Sequence, residues 1–264
     1  MQFTAIDNKG KILSFAPLTP LVTVVNSDYH SLSCLVESTS TLPLRIGLVV
    51  DTSNSVQQTF VDHVVGGAVR FLGATLKPSD GAFIISVKSE ASLFQDWTSD
   101  GKVLFEAVNK LRAGGGTAIY DGVYFACKKL AAEPAAARKA VILASDGDDN
   151  QSHVSLNETT QYCSQHGVAV FALDYSGPLR NELGRGERAL KALAEKTGGL
   201  YYAPKNDKEI IAATDQFGYY WNAQYLGTAT FQTLPEDKKI KNIYVLSSFP
   251  SLKFKATLLL ENGQ

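Results

Sequence analysis

The chain has 264 residues, 45% of them hydrophobic, with 25 basic and 26 acidic side chains and a formal net charge of −1. That much apolar material can build a large core, which excludes a disordered chain, and the balanced charge lacks the basic footprint of a nucleic-acid binder. No apolar stretch approaches the roughly 18 residues needed to span a bilayer.

The opening Met1-Gln2-Phe3-Thr4-Ala5-Ile6 lacks the basic-then-apolar signature of a signal peptide and reads as the middle of a strand. An upstream segment is expected to have been removed. Up to about Thr41, short apolar runs alternate with turn residues. Ile6 precedes the turn Asp7-Asn8-Lys9-Gly10, Leu21-Val22-Thr23-Val24-Val25 precedes Asn26-Ser27-Asp28, and residues 33–37 form a further run. These are strand and turn signals.

From Leu44 the pattern changes to alternating strands and helices. Leu44-Arg45-Ile46-Gly47-Leu48-Val49-Val50 reads as a strand buried on both faces. Residues 56–76 carry Phe60, Val64, Val65, Val69 and Leu72 at helical spacing. The strand over 82–87 and the strand over 91–95 are separated by so few residues that they form a hairpin. Helices follow over 101–111 and 118–130, a buried strand over 140–144, a helix over 156–166 and a strand over 168–173. The helix over 187–197 is closed by Gly198-Gly199, a C-cap signal. A short strand over 200–203 and a helix over 207–220 complete the series. Strands return over 224–232, 241–246 and 252–260.

This order predicts an α/β fold, a doubly wound and mostly parallel sheet with helices on both faces and an antiparallel edge strand. Residues 1–43 form an N-terminal β flank, residues 44–222 the α/β domain, and residues 223–264 a C-terminal β flank. The two flanks are expected to pack together as an accessory sheet.

The chemistry gathers at three places. Asp51-Thr52-Ser53-Asn54-Ser55 follows the first buried strand directly, so its polar groups lie at a strand's carboxyl end, where open α/β sheets bind ligands. Gly114-Gly115-Gly116-Thr117 precedes a helix carrying Asp121. Ser145-Asp146-Gly147-Asp148-Asp149-Asn150 follows the strand over 140–144. In a doubly wound sheet all three meet at one edge. One carboxylate and several hydroxyls make hard oxygen chemistry, suited to magnesium or manganese rather than zinc.

Asp-x-Ser-x-Ser, a distant Thr and an Asp-Gly after a buried strand resemble the von Willebrand factor type A domain, over about residues 44–220. The resemblance makes Asp51, Ser53, Ser55, Thr117 and Asp146 a metal-ion-dependent adhesion site. It implies that Ser53, Ser55 and Thr117 ligate Mg2+ (or Mn2+ or Ca2+) directly, while Asp51 and Asp146 act through water. It also implies a non-enzymatic module whose protein partner supplies an Asp or Glu to the metal. With the flanks, including Gln224-Tyr225-Leu226-Gly227, the chain resembles a bacterial family often called the VWFA-related domain of Acidobacteria, whose members are exported to the periplasm or beyond. Neutral hydroxyl ligands would leave the ion strongly electrophilic towards an added carboxylate.

Two alternatives stay open. A magnesium-dependent hydrolase or phosphotransferase also places aspartates at strand ends, but here Asp51 is followed by hydroxyls and no general base stands out. A structural domain with an empty site is the other. Asp148 and Asp149 read as solvated loop acids, and Asp121 as a helix-dipole or outer-shell residue. His30, His63, His153 and His166 lack ligand spacing. Gly184-Arg185-Gly186 reads as a flexible connection, and Tyr219-Tyr220-Trp221 as core packing against the accessory sheet. Cys34, Cys127 and Cys163 are scattered and odd in number, which favours buried or free thiols over a disulfide or a redox role.

Overall fold

The computed structural model describes residues 2–6, 22–26, 31–54, 64–134, 137–176, 184–231, 243–247 and 253–257. The turn expected at 7–10, Ser55, residues 56–63 of the expected 56–76 helix, His30 and the outer ends expected for the last strands lie outside the described residues.

Residues Leu42–Gly218 make one compact unit and Met1–Thr41 with Tyr219–Gln264 the other. In the second of these, β1 (Gln2–Ile6), β2 (Val22–Asn26) and β3 (Ser31–Ser38) come from the start of the chain. The later segment adds β10 (Gln224–Phe231), β11 (Ile243–Ser247) and β12 (Lys253–Thr257). They form a four-stranded sheet ordered β12-β1-β10-β3 and a two-stranded sheet β11-β2, antiparallel throughout.

The α/β unit is built on β4 (Leu44–Asp51), β5 (Gly81–Val87), β6 (Ala91–Thr98), β7 (Arg138–Ser145), β8 (Val168–Asp174) and β9 (Tyr201–Tyr202). Their spatial order is β6-β5-β4-β7-β8-β9. All neighbours are parallel except β5 and β6, the hairpin that the short spacer implied. The apolar runs are explained by this placement: Ile46, Leu48, Val49 and Val50 of β4 have no exposed surface. Successive side chains face opposite sides. Val170 and Ala172 join Val49, Ile85 and Leu143 in one apolar cluster, while Phe171 between them meets Phe217 at 4.9 Å between ring centroids.

Among the described residues six helices belong with this sheet: α1 (Gly66–Thr75), α2 (Gly101–Asn109), α3 (Ile119–Ala131), α4 (Leu156–Gln165), α5 (Arg185–Thr197) and α6 (Asp207–Asn222). Ile119, Val123 and Leu130 of α3, Cys163 of α4 and Leu190 and Leu193 of α5 fill the cluster side. Their boundaries follow from local chemistry. Asp100 Oδ1 accepts from Lys102 N at the start of α2, and Ser155 Oγ from Glu158 N at the start of α4. Gly198, with φ +83°, closes α5. No helix of the described residues is long and apolar enough to cross a membrane.

Two expectations are corrected. Cys127 and Cys163 form a disulfide between α3 and α4, with Cα atoms 5.4 Å apart and both residues fully buried. Their 36-residue separation carries no pairing signal, because adjacency arises only when the two helices pack side by side. Gly186, read as part of a flexible connection, belongs to the first turn of α5. A Cβ there would stand 2.3 Å from Asp146 O, so the helix start and the loop after β7 pack backbone to backbone.

Candidate functional site

The chain passes from β4 to β5 and β6 on one side, then crosses to β7 on the other. The carboxyl ends of β4 and β7 therefore flank the point where strand order reverses, which is where open α/β sheets leave a crevice. Asp51 ends β4 and Ser145 ends β7.

Asp51 is fully buried, and each of its carboxylate oxygens is held. Oδ1 accepts from Ser53 N at 2.9 Å, and Oδ2 from the Ser145 hydroxyl at 2.8 Å. Its main-chain oxygen accepts from the Tyr175 hydroxyl, also at 2.8 Å. Burial pushes the Asp51 carboxyl up to about 6, against the bonds from Ser53, and the neighbouring charge of Asp146 adds to the rise. Thr52 is turned away into the sheet, where its hydroxyl donates to Val87 O at 3.0 Å and lies 3.0 Å from Ser86 Oγ.

The glycine loop is joined to this segment through the backbone. Gly114 N donates to Thr52 O at 2.8 Å and Asn54 N to Gly115 O at 3.1 Å. Gly115 has φ +83°, a conformation that favours glycine. Thr117 is 3% exposed; its amide donates to Asn150 Oδ1 at 3.0 Å, and its carbonyl accepts from Asn150 N and Gln151 N. Its hydroxyl has no hydrogen bond among the described residues.

Asp146 is half-buried at the head of the loop after β7, where its Oδ1 accepts from Asp148 N at 3.1 Å. Gly147 N donates to Ser145 Oγ at 2.9 Å. Asp149 is a structural cap. Its Oδ2 accepts from Tyr120 N at 3.1 Å and from the Ser152 hydroxyl at 2.6 Å, while Ser152 Oγ accepts from Asp121 N. These distant groups cap α3, whose preceding residue Ala118 has no side chain to do so. Asp121 points to the adjoining loop. It accepts from His153 N at 2.9 Å and Val154 N at 3.0 Å and pairs with His153 Nδ1, which holds its carboxyl below the usual range despite partial burial and raises His153.

Of the five residues singled out in the sequence, Asp51, Ser53, Thr117 and Asp146 stand on segments linked to one another at this edge. Ser55 lies outside the described residues. No cluster of three His, Cys, Asp or Glu able to hold a metal occurs among the described residues. The donor set is instead two acids with hydroxyls. It suits a hard cation: Asp51 is a buried carboxylate opposed by a second acid, an arrangement that positive charge relieves, and Thr117 offers a hydroxyl with no hydrogen bond among the described residues. His153 and His166 serve structural contacts, the latter donating from Nδ1 to Tyr162 O and stacking on the Tyr162 ring.

Sequence reasoning missed Ser145 and Tyr175. Ser145 stood in view as the residue before Asp146, but nothing local shows that it orients Asp51. Tyr175 carries no motif at all.

The family profile described as the von Willebrand factor type A domain matches residues 46–216. No curated protein matches the sequence. Among solved structures, the fold is similar to BatB from Bacteroides thetaiotaomicron (17% identity, 67% of this chain and 98% of that one, TM-score 0.56). It is also similar to an aerotolerance-related membrane protein from Bacteroides fragilis (16% identity, 68% and 98%, TM-score 0.57). A third similar fold is the vWF domain of the type V pili tip protein Mfa5 from Porphyromonas gingivalis (14% identity, 68% and 95%, TM-score 0.56). At such identities the likeness is one of fold.

Proposed function

The chain belongs to the von Willebrand factor type A domain family, and from that premise we propose that it is a non-catalytic protein-binding module working through a divalent cation. The observation that carries this reading is the state of Asp51: buried, fixed at both carboxylate oxygens by Ser53 N and Ser145 Oγ, and opposed by Asp146.

Ser53, Ser55 and Thr117 would hold Mg2+ or Mn2+ through neutral oxygens, with Asp51 and Asp146 orienting its water. The cation would supply an electrophilic position for an Asp or Glu side chain of a partner protein. The chain's own part is to keep carboxylates out of direct competition for that position. Ser145 and Ser53 N occupy Asp51, and Asp148 N occupies one oxygen of Asp146. Asp149 and Asp121 are engaged in loop bonds.

We also infer that the protein works in an oxidising compartment, at the cell envelope or outside the cell. The buried Cys127–Cys163 disulfide supports this, since such bonds persist where thiols are not kept reduced.

Calorimetric titration with Mn2+ tests the site. Wild type should bind one ion, and Ser53→Ala and Thr117→Ala should bind it at least about tenfold more weakly. A short Asp-containing peptide should then bind only in the presence of Mn2+. A wild-type protein that takes up neither Mg2+ nor Mn2+ sinks the reading.

A further inference from the structure

We propose that Tyr175 is a positioning residue for the cation site: its hydroxyl tethers the Asp51 peptide and so sets the affinity of the site, an inference that rests on the metal reading above.

The parallel pairing of β4 with β7 ends at Val50 and Ala144. Asp51 therefore lies one step beyond the ladder, where β7 leaves the sheet to present Asp146. The pairing of β7 with β8 runs one residue further, to Ser145 and Asp174. Tyr175, the next residue, donates its amide to Ser145 O at 3.2 Å and its hydroxyl to Asp51 O at 2.8 Å. It thus spans the end of β7 and supplies the donor that the departing strand no longer provides.

The bond has an unusual leverage. Both carboxylate oxygens of Asp51 are bonded locally, but those bonds orient the side chain relative to a peptide that must itself be fixed. Tyr175 fixes that peptide from two strands away. Tyr175 is 5% exposed, so this bond is made in the interior. A shift of the Asp51 peptide would carry Ser53 with it, because Ser53 N is bonded to Asp51 Oδ1.

Tyr201 provides an internal control. Its hydroxyl donates its one proton to Asp174 Oδ2 at the same end of the sheet, and so not to Asp51. Tyr175→Phe and Tyr201→Phe each remove one part-buried or buried phenol bond and keep the ring. The test measures Mn2+ affinity by calorimetry for wild type, both variants and a protein carrying 4-aminophenylalanine at position 175, which keeps a ring-borne N–H donor. Melting temperature and amide exchange at Ser53 are followed in parallel.

The expected result is about tenfold weaker Mn2+ binding and faster Ser53 exchange in Tyr175→Phe alone, with affinity restored by 4-aminophenylalanine. Tyr201→Phe should change melting temperature without changing affinity. Equal Mn2+ affinities for Tyr175→Phe and Tyr201→Phe would overturn the positioning role and leave the metal reading standing. Should Tyr175→Phe fail to fold, failure of the 4-aminophenylalanine protein to bind Mn2+ with wild-type affinity would overturn it. Absence of binding by wild type would overturn the metal reading and this proposal together.

Discussion

Ser145 Oγ donates to Asp51 Oδ2 at 2.8 Å, joining the last residue of β7 to the last residue of β4. The same oxygen accepts from Gly147 N at 2.9 Å. Ser145→Ala would leave a buried carboxylate oxygen and a buried amide without partners. A cost of about 1–3 kcal/mol is expected, read as a lower urea midpoint with an unchanged slope. Ser145→Thr, which keeps the hydroxyl, should lose less.

The pH response of the metal-free protein follows from Asp51. Its folded-state value of about 6 lies above the unfolded value of 3.8. Between these values the folded protein holds a proton that the unfolded chain has released. Stability should therefore fall as pH rises from about 4 to 6 and level off above, by about 3 kcal/mol in all. Asp51→Asn cancels this contribution, so the difference between wild type and variant isolates it from Asp96 and Asp121, whose values are lowered and act with the opposite sign. Cation affinity should weaken below about pH 6, where the proton competes. A wild-type-minus-variant difference flat from pH 4 to 7 would refute the assignment.

The Cys127–Cys163 bond closes a loop of 36 residues. On chain-entropy grounds its loss should cost roughly 4 kcal/mol, seen as a lower denaturant midpoint for Cys127→Ala/Cys163→Ala or for the reduced protein. The effect should reach the site, since α3 follows Thr117 directly and α4 follows the loop bearing Asp146. Equal Mn2+ affinity in oxidised and reduced protein would show that the staple serves stability alone.

Gly147 and Gly184 both have positive φ, +84° and +51°, but differ in their surroundings. Among the described residues a Cβ at Gly184 meets nothing within 4 Å, whereas one at Gly147 would lie 2.4 Å from Gly186 O. Gly184→Ala should cost only the left-handed backbone penalty, roughly 1–2 kcal/mol. Gly147→Ala should cost roughly 3 kcal/mol or more, because α5 must also move away from the Asp146 loop. Thermal melts of the two variants provide the comparison.

The sequence was most readable where one local rule governs a residue. The run 44–50 could only be a doubly covered strand, and Gly198 could only close a helix. Reading failed where a partner comes from far along the chain. Asp149 caps α3 from 29 positions away, and Tyr175 reaches Asp51 across 124. Cys127 and Cys163 likewise pair only because two helices pack side by side on the sheet. No periodicity records such encounters, since they are properties of the sheet order. By its local sequence Asp149 is a solvated loop acid and Asp121 a helix-dipole or outer-shell residue; in the structure both anchor the loop after β7 to the start of α3.

The strand pairings also impose an order of events. Within Leu42–Gly218 the first strand finds its neighbour early, with Arg45 opposite Gly81. In the other unit Gln2 lies opposite Leu226 and Thr257, Val24 opposite Val245, and Cys34 opposite Ala229. As the chain emerges from the ribosome, β1, β2 and β3 must therefore wait with open edges while the whole α/β unit is synthesised and becomes able to fold. β1, β2 and β3 are thus made before their partners, and a chain halted near residue 218 would carry the α/β unit of residues 42–218 together with three strands still exposed to association.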